Sequence, residues 1–298
     1  MTTAPSAPVY PDHLREEVER YLDGLSFPVA SAAQGLQEAM RYSLLAGGKR
    51  IRPVLTLGTA RAINRPSGWV MPLAAAIELI HTYSLIHDDL PAMDDDDLRR
   101  GKPTCHRAFG EDVAILAGDG LYAEAFALLL QCQAGAPACL VAAAAELASA
   151  TGVAGMVGGQ YIDVAGTAPD GADGLRQLHE LKTGRLIRAS IECVLLLDGT
   201  VEPARMVSFR AFADELGVLF QIVDDILDVT GSQEALGKRQ GSDERLGKRT
   251  YVTEFGLNGA RRLAAESQER ARGSLAAAAP DGATELEQIT DFIATRTF

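Results

Sequence analysis

The sequence predicts an all-α protein of roughly ten or more helices in one domain, and three observations carry that expectation. Apolar residues recur three and four apart along one segment after another, the period of a helix with one buried face. Nowhere is there the sustained period-2 alternation of a half-buried strand, so no sheet is expected. Glycine and proline punctuate the segments: Gly47-Gly48 stops one helix, while Pro72 and Pro203 open others.

Residues 1–11 carry Pro5, Pro8 and Pro11 and read as a flexible arm, with the domain proper spanning 12–298. From Asp12 the apolar spacing of Leu14, Val18, Tyr21 and Leu22 predicts the first helix. Ser31 is a candidate cap for the second, which carries Leu36, Met40, Leu44 and Leu45. A third is expected from about Pro53 to Ile63. Pro72 then begins a long apolar helix that ends near Asp88 and Asp89, because Pro91 disfavours helical geometry at Leu90. Two alanine-rich helices follow, Glu111 to Cys132 and Ala138 to about Asp163; Gly158-Gly159 near the end of the second permits close packing. Beyond the loop Gly166–Gly174 comes one helical run through Lys182 and Thr183, then Pro203 to Val229, and two amphipathic helices near 258–278 and 283–297.

Composition narrows the function classes. Hydrophobic residues make up 47% and charged residues 23% of 298, ordinary for a globular protein with a sizeable core. A net charge of −12 argues against a nucleic-acid partner and requires that any anion site be a local basic pocket. The four cysteines have neither metal-ligand nor disulfide spacing and read as reduced thiols. The N-terminus lacks the pattern of a signal peptide, and no uninterrupted apolar run reaches membrane-spanning length, so a cytoplasmic protein without a stable membrane anchor is expected.

The densest chemistry lies at His87–Gly101, HDDLPAMDDDDLRRG. Six of the ten residues from Asp88 to Asp97 are aspartates, and Arg99, Arg100 and Lys102 follow. Acidic runs are more often solvated surface. A second cluster changes the balance: in FQIVDDILD, Asp224 and Asp228 share a helix face with Asp225 beside them, on a segment otherwise apolar. Carboxylates on such segments are costly without a counter-ion. Hard oxygen donors suit Mg²⁺, which binds through a few carboxylates plus substrate phosphates, and guanidinium groups fork onto phosphate oxygens. The pattern points to a metal-bridged polyphosphate.

Other candidates stay open when read alone. GGKRIRP places Lys49, Arg50 and Arg52 at a helix start, either an anion site or a basic surface turn. His81 lies two turns before Asp88 on the same face and Tyr83 five residues before it; each also suits a core position. Lys182-Thr183 is either a phosphate-holding pair or a surface lysine with its neighbour. Gln160 and Asp163 share a face.

Taken together, GGKRIRP, HTYSLIHDDLPAMDDDDLRRGKPTCH, GGQYID, LKTGRLIRA, FQIVDDILD and GKRQGSDERLGK resemble, in order and over nearly the whole chain, the trans-prenyltransferases, and within them the bacterial farnesyl diphosphate synthases. The resemblance implies packed helices around a deep central cavity, usually a homodimer. It implies a reaction in which an allylic diphosphate (dimethylallyl or geranyl) loses pyrophosphate and the double bond of isopentenyl diphosphate attacks the cation. It also implies roles. Asp88, Asp94 and Asp224 match the ligands of three Mg²⁺ ions, and Asp89, Asp225 and Asp228 complete the two motifs through water or hydrogen bonds. Arg99, Lys182 and Lys238 match groups on the leaving pyrophosphate, with Lys248 another lysine on that side. Lys49, Arg52, His81 and Arg100 match the isopentenyl diphosphate site, while Thr183 and Gln221 match polar groups near the developing cation. An aromatic at Tyr83 with the two extra residues of DDLPAMD goes with a fifteen-carbon product in this family; without the ring, twenty carbons or more are expected.

Two departures stand out. Arg249-Thr250-Tyr251-Val252 replaces the common Ser-Thr-Tyr-Pro, leaving Arg249 without an assigned role, and Arg296 is the only cation of the last stretch, which puts closure by a basic tail in doubt. A terpene cyclase would need an Asn-Asp-Ser-Glu type second motif that is absent. A calcium loop would need a ligand and a glycine where Leu98 and Arg99 stand. A silent partner subunit of a heteromeric enzyme would usually have lost an aspartate motif, and both are whole.

Overall fold

A computed structural model describes residues 9–231 and 249–296. Among them the chain runs α1 (Asp12–Gly24), α2 (Gln34–Leu44), α3 (Ile51–Ala62), α4 (Met71–Asp88), α5 (Cys105–Phe109), α6 (Glu111–Cys132) and α7 (Pro137–Thr151). It continues through α8 (Met156–Ala165), α9 (Gly171–His179), α10 (Arg185–Asp198), α11 (Pro203–Thr230), α12 (Tyr251–Ala278) and α13 (Thr284–Thr295). Helix α4 is the central post, and most of its side chains from Met71 to Ile80 are buried, including Leu73, Ile77, Leu79 and Ile80. Each of these contributes about 2 kcal/mol of apolar burial. Helices α3 and α6 flank it, α10 packs on α7, and α11 lies along α12.

Several expectations need correction. Ser31 does not cap α2; Ser31–Ala33 form a short 3₁₀ turn with no side-chain cap bond. The expected helix from Ala138 to Asp163 is two helices, because Gly152 and Gly155 lie so close to the carbonyls of Ala148 and Ala150 that only a bare Cα fits there. The helical run through Lys182 is interrupted by a π-helical turn, Glu180–Gly184, a distortion frequent at functional sites. The penultimate helix starts earlier than expected, at Tyr251, and kinks at Gly256, where φ is 67°.

One minimal antiparallel ladder also exists where no strand was expected: Leu98–Arg99 pairs with Lys102–Pro103. The turn between them has positive φ at both Arg100 and Gly101, as a tight hairpin of this twist demands. It presents the two arginines together.

The arm is tied down where it is described. The Tyr10 hydroxyl donates to the Lys49 carbonyl at 2.6 Å and its ring meets Phe292 edge-on at 4.7 Å; the rest of that expectation, residues 1–8, lies outside the described residues. The membrane expectation is corrected as well. By length and composition three helical stretches, Ser67–Asp88, Glu111–Cys132 and Pro137–Ala165, are apolar enough to span a bilayer, and in the last two only 33% of the apolar window is buried.

Candidate functional site

The C-terminal end of α4, the hairpin, the start of α3, the π turn and the middle of α11 surround one cavity of about 1010 Å³. Its walls carry Asp88, Asp224 and Asp228 from the two acidic clusters, together with Lys49, Arg52, His81, Tyr83, Arg99, Arg100, Lys182, Thr183 and Gln221. Asp89, Asp94 and Asp225 stand behind this wall rather than in it. Lys238 and Lys248 lie outside the described residues.

On the acidic side, burial followed by the charge of Asp94 outweighs Lys182 and raises the Asp88 carboxyl to about 6. Asp94 is brought near by a turn in which its N–H donates to the Asp88 carbonyl at 2.9 Å. Gln160 reaches from α8 and donates to Asp88 Oδ1 at 2.8 Å, while its own Oε1 is buried without a partner. Asp89 is buried and receives the Arg99 Nε at 2.7 Å. Asp225 is buried too: it accepts from Gln221 Nε2 and, at the start of α12, from the Tyr251 N–H, both at 2.7 Å. Thr183 donates to Gln221 Oε1 at 3.3 Å, so a relay runs from the π turn through α11 to a helix N-terminus. Lys182 donates to Asp163 at 2.6 Å. Gly159 makes this side possible, since a Cβ there would stand 2.3 Å from the Lys182 nitrogen.

On the basic side, Arg52 is deeply buried with its Nε unpaired, and burial ahead of any other cause pulls its pKa down to about 10. Its Nη1 lies 3.3 Å from His81 Nε2. A guanidinium only donates, so this imidazole nitrogen is the acceptor and the ring proton sits on Nδ1. Burial, then Arg52 and Arg100, hold His81 well below its ordinary pKa, and it is neutral near pH 7. Arg100 bonds the Gly47 carbonyl and lies over Gly48, whose φ of 128° and lack of a Cβ leave room for the guanidinium.

Sequence reasoning missed several residues. Arg50, in left-handed backbone, is saturated by Glu19, by Glu78 at 2.7 Å and by the Leu44 carbonyl, so it braces the site instead of offering donors to it. Glu78 lines the cavity; a single acid inside LAAAIELIH was the available signal. Phe220 has the Arg52 and Arg296 guanidinium carbons 5.8 and 4.3 Å from its ring centre. Arg296, far from the tail's periphery, lines the cavity and bonds Asp224 at 3.1 Å. Arg249 now has a place: it donates to the carbonyls of Pro169 and Gly171 at 2.9 and 2.8 Å, pinning the loop before α9 to the start of α12.

The donor set fits Mg²⁺ in one specific way. Among the described residues no three His, Cys, Asp or Glu side chains converge closely enough to hold an ion alone. Carboxylates on one wall facing cations on the other suit a hard ion whose remaining ligands come from a bound diphosphate.

Comparison with known proteins agrees with this geometry. The chain is 46% identical over 264 residues to a chloroplastic geranylgeranyl pyrophosphate synthase of Capsicum annuum, covering 88% of this chain and 71% of that one. It is 44% identical over 282 residues to the farnesyl diphosphate synthase of Geobacillus stearothermophilus, covering 94% and 93%. The structure of a Helicobacter pylori geranyltransferase complexed with magnesium and isoprenyl diphosphate superposes with a TM-score of 0.82 at 31% identity, covering 98% of this chain and 97% of that one. The model of the polyprenyl synthetase family matches residues 33–291, and with a cavity walled by both aspartate clusters this chain belongs to that family of prenyltransferases.

Proposed function

We propose that the protein condenses isopentenyl diphosphate with dimethylallyl or geranyl diphosphate, yielding farnesyl diphosphate and pyrophosphate with the help of Mg²⁺. The observation that carries this reading is that both aspartate clusters and the basic groups of three separate segments face one cavity with an aromatic ring, Tyr83, along its depth.

In this reading Asp88, Asp94 and Asp224 hold three Mg²⁺ ions with the allylic diphosphate, and Asp89, Asp225 and Asp228 steady those ligands. Bound there, the metal supplies Lewis-acid neutralisation of the charge that develops on the leaving group. Arg99 and Lys182, with Lys238 and Lys248, hold pyrophosphate oxygens as the allylic carbon–oxygen bond breaks and its electron pair leaves with pyrophosphate. Fixed cations in a water-poor cleft favour that charge separation. Thr183 and Gln221 direct their oxygen dipoles toward the cation. Lys49, Arg52, His81 and Arg100 hold isopentenyl diphosphate, whose double bond forms the new carbon–carbon bond. The proton released goes to pyrophosphate, because the Nε2 lone pair of His81 is already engaged by Arg52.

A homodimer accords with the apolar residues left exposed on α6, α7 and α8, among them Leu116, Leu130, Val141 and Tyr161. The test of function is incubation with isopentenyl diphosphate, each allylic diphosphate in turn and Mg²⁺, followed by chromatographic sizing of the dephosphorylated product. A fifteen-carbon alcohol supports the assignment; a twenty-carbon alcohol makes the protein a geranylgeranyl diphosphate synthase; no prenyl product refutes the reading.

A further inference from the structure

Helices α4 and α6 run antiparallel along the deep side of the cavity, and their facing residues pair in register. His87 packs on Gly118, where a Cβ would stand 2.2 Å from the imidazole Nε2. One turn further from Asp88, the Tyr83 ring meets the Tyr122 ring edge-on with centres 5.1 Å apart. Tyr83 also meets His87 at 4.9 Å, and Tyr122 meets Phe126 at 5.4 Å. The residues involved sit at i, i+4 and i+8 on α6 (118, 122, 126) and at i and i+4 on α4 (83, 87), so each set forms one stripe on its helix. The missing side chain of Gly118 brings the two stripes together.

The two tyrosines differ in what fixes them. Tyr83 lines the cavity and Tyr122 does not, so Tyr83 stands between the open space and Tyr122. The Tyr122 hydroxyl lies 3.2 Å from Thr151 Oγ1 on α7. Thr151 is fully buried and spends its one proton on the Leu147 carbonyl at 2.8 Å, so the phenol is the donor and Tyr122 is bolted to a third helix. Aromatic rings meeting edge-on add about 0.5–1.5 kcal/mol per pair beyond their buried area.

We infer that Tyr122 is a second, fixed stop for the growing prenyl chain, behind the first stop at Tyr83, so that product length is set by a two-layer floor. The inference rests on the prenyltransferase reading and names a further specificity-determining residue of the same cavity. An isoprenoid tail extending away from Asp88 meets Tyr83 roughly 7 Å down α4 and, with that ring gone, meets Tyr122 about one turn deeper.

The test is product sizing by chromatography for the parent, Tyr83→Ala, Tyr83→Ala/Tyr122→Ala and Tyr83→Ala/Tyr122→Phe, with thermal melting to establish that each is folded. Tyr83→Ala/Tyr122→Leu, which keeps bulk but not the ring, substitutes if the double alanine variant does not fold. The single variant is expected to lengthen the product by one isoprene unit with a sharp cut-off. The double variants lacking the second ring should run on by at least one unit more. Tyr83→Ala/Tyr122→Phe, which keeps the ring but loses its bolt, should keep the single variant's main product with a longer minor fraction. The inference is overturned if Tyr83→Ala alone gives an open-ended ladder of lengths, or if removing the second ring leaves the cut-off where the single variant put it. A parent that makes no prenyl product instead defeats the underlying function, so the two failures are distinct.

Discussion

The Arg296 guanidinium bonds the Asp224 carboxylate at 3.1 Å, so a residue near the C-terminal end of the chain supplies a cation to a carboxylate of the second acidic cluster. The same guanidinium stacks 4.3 Å from the centre of the Phe220 ring, one turn before Asp224 on α11. In the proposed mechanism this cation occupies Asp224 until metal and diphosphate arrive. Replacing Arg296 by Gln is therefore expected to lower the Mg²⁺ concentration for half-maximal velocity. Because Asp224 is partly exposed, the pair is worth about 0.5–1 kcal/mol, a factor of about two to five. Titrating initial velocity against Mg²⁺ checks it; an unchanged or higher requirement shows that the two cations do not compete.

Asp88→Asn and Asp224→Asn each remove a proposed metal ligand while keeping size and polarity. Turnover is expected to fall at least about a hundredfold in either, since each ligand helps a metal contributing several kcal/mol. Melting temperature should hold, and for Asp88 it should not drop at all, because burial already disfavours its charge. Steady-state kinetics with calorimetry reads both. Parent-like turnover in either variant removes that residue from the metal assignment.

Arg52 has a buried, unpaired Nε and only an imidazole opposite its Nη1. A second anion is the partner that geometry asks for. Arg52→Lys keeps charge but loses the fork, and is expected to raise KM for isopentenyl diphosphate about ten- to a hundredfold with a smaller change in KM for the allylic substrate. Equal effects on both substrates contradict its place in the isopentenyl site.

Two helices depend on the bareness of Gly159. In Gly159→Ala the new methyl collides with the Lys182 backbone, and backbone cannot swing aside as a side-chain tip can. A loss of about 1–3 kcal/mol of stability is expected, with a fall in kcat as the π turn carrying Lys182 and Thr183 shifts. Denaturant titration and kinetics together check this; a variant with parent stability shows that α8 and the turn adjust freely.

His179 gives the fold a pH dependence. Burial first, then Lys182, lower its pKa to about 4 from an ordinary 6.5, against the opposing pull of Asp163, and its ring stacks on Tyr251 at 5.6 Å. The unfolded chain takes up this proton at higher pH than the folded one does. The contribution to stability is thus present above pH 6.5 and is lost as pH falls through 4, amounting to about 3 kcal/mol. His179→Gln should flatten that part of the pH–stability curve measured by denaturant unfolding; an unchanged slope places the acid sensitivity elsewhere.

What was legible in the sequence was local. Asp224 and Asp228 sit one turn apart on an apolar helix, GGKRIRP ends one helix beside a cationic start, and Gly158-Gly159 announces close packing; each is a short-range pattern with one physical reading. The relay Thr183–Gln221–Asp225–Tyr251 joins residues up to 68 positions apart, and no local periodicity encodes it. The helix break after Thr151 and the π turn were hidden for a different reason. Alanine-rich and amphipathic stretches keep their helical period across such interruptions, and close approach between backbones decides where they occur. Arg296 was misjudged because a single cation in a tail says nothing about where the tail goes.

The central claim is that two acidic helices share one site, completed by a diphosphate. Electron paramagnetic resonance of Mn²⁺, as a substitute for Mg²⁺, measures this directly by counting bound ion with and without added pyrophosphate in the parent, Asp88→Asn and Asp224→Asn. The account predicts strong binding only when pyrophosphate is present and its loss in both variants. Binding that is indifferent to pyrophosphate, or that survives in either variant, contradicts it.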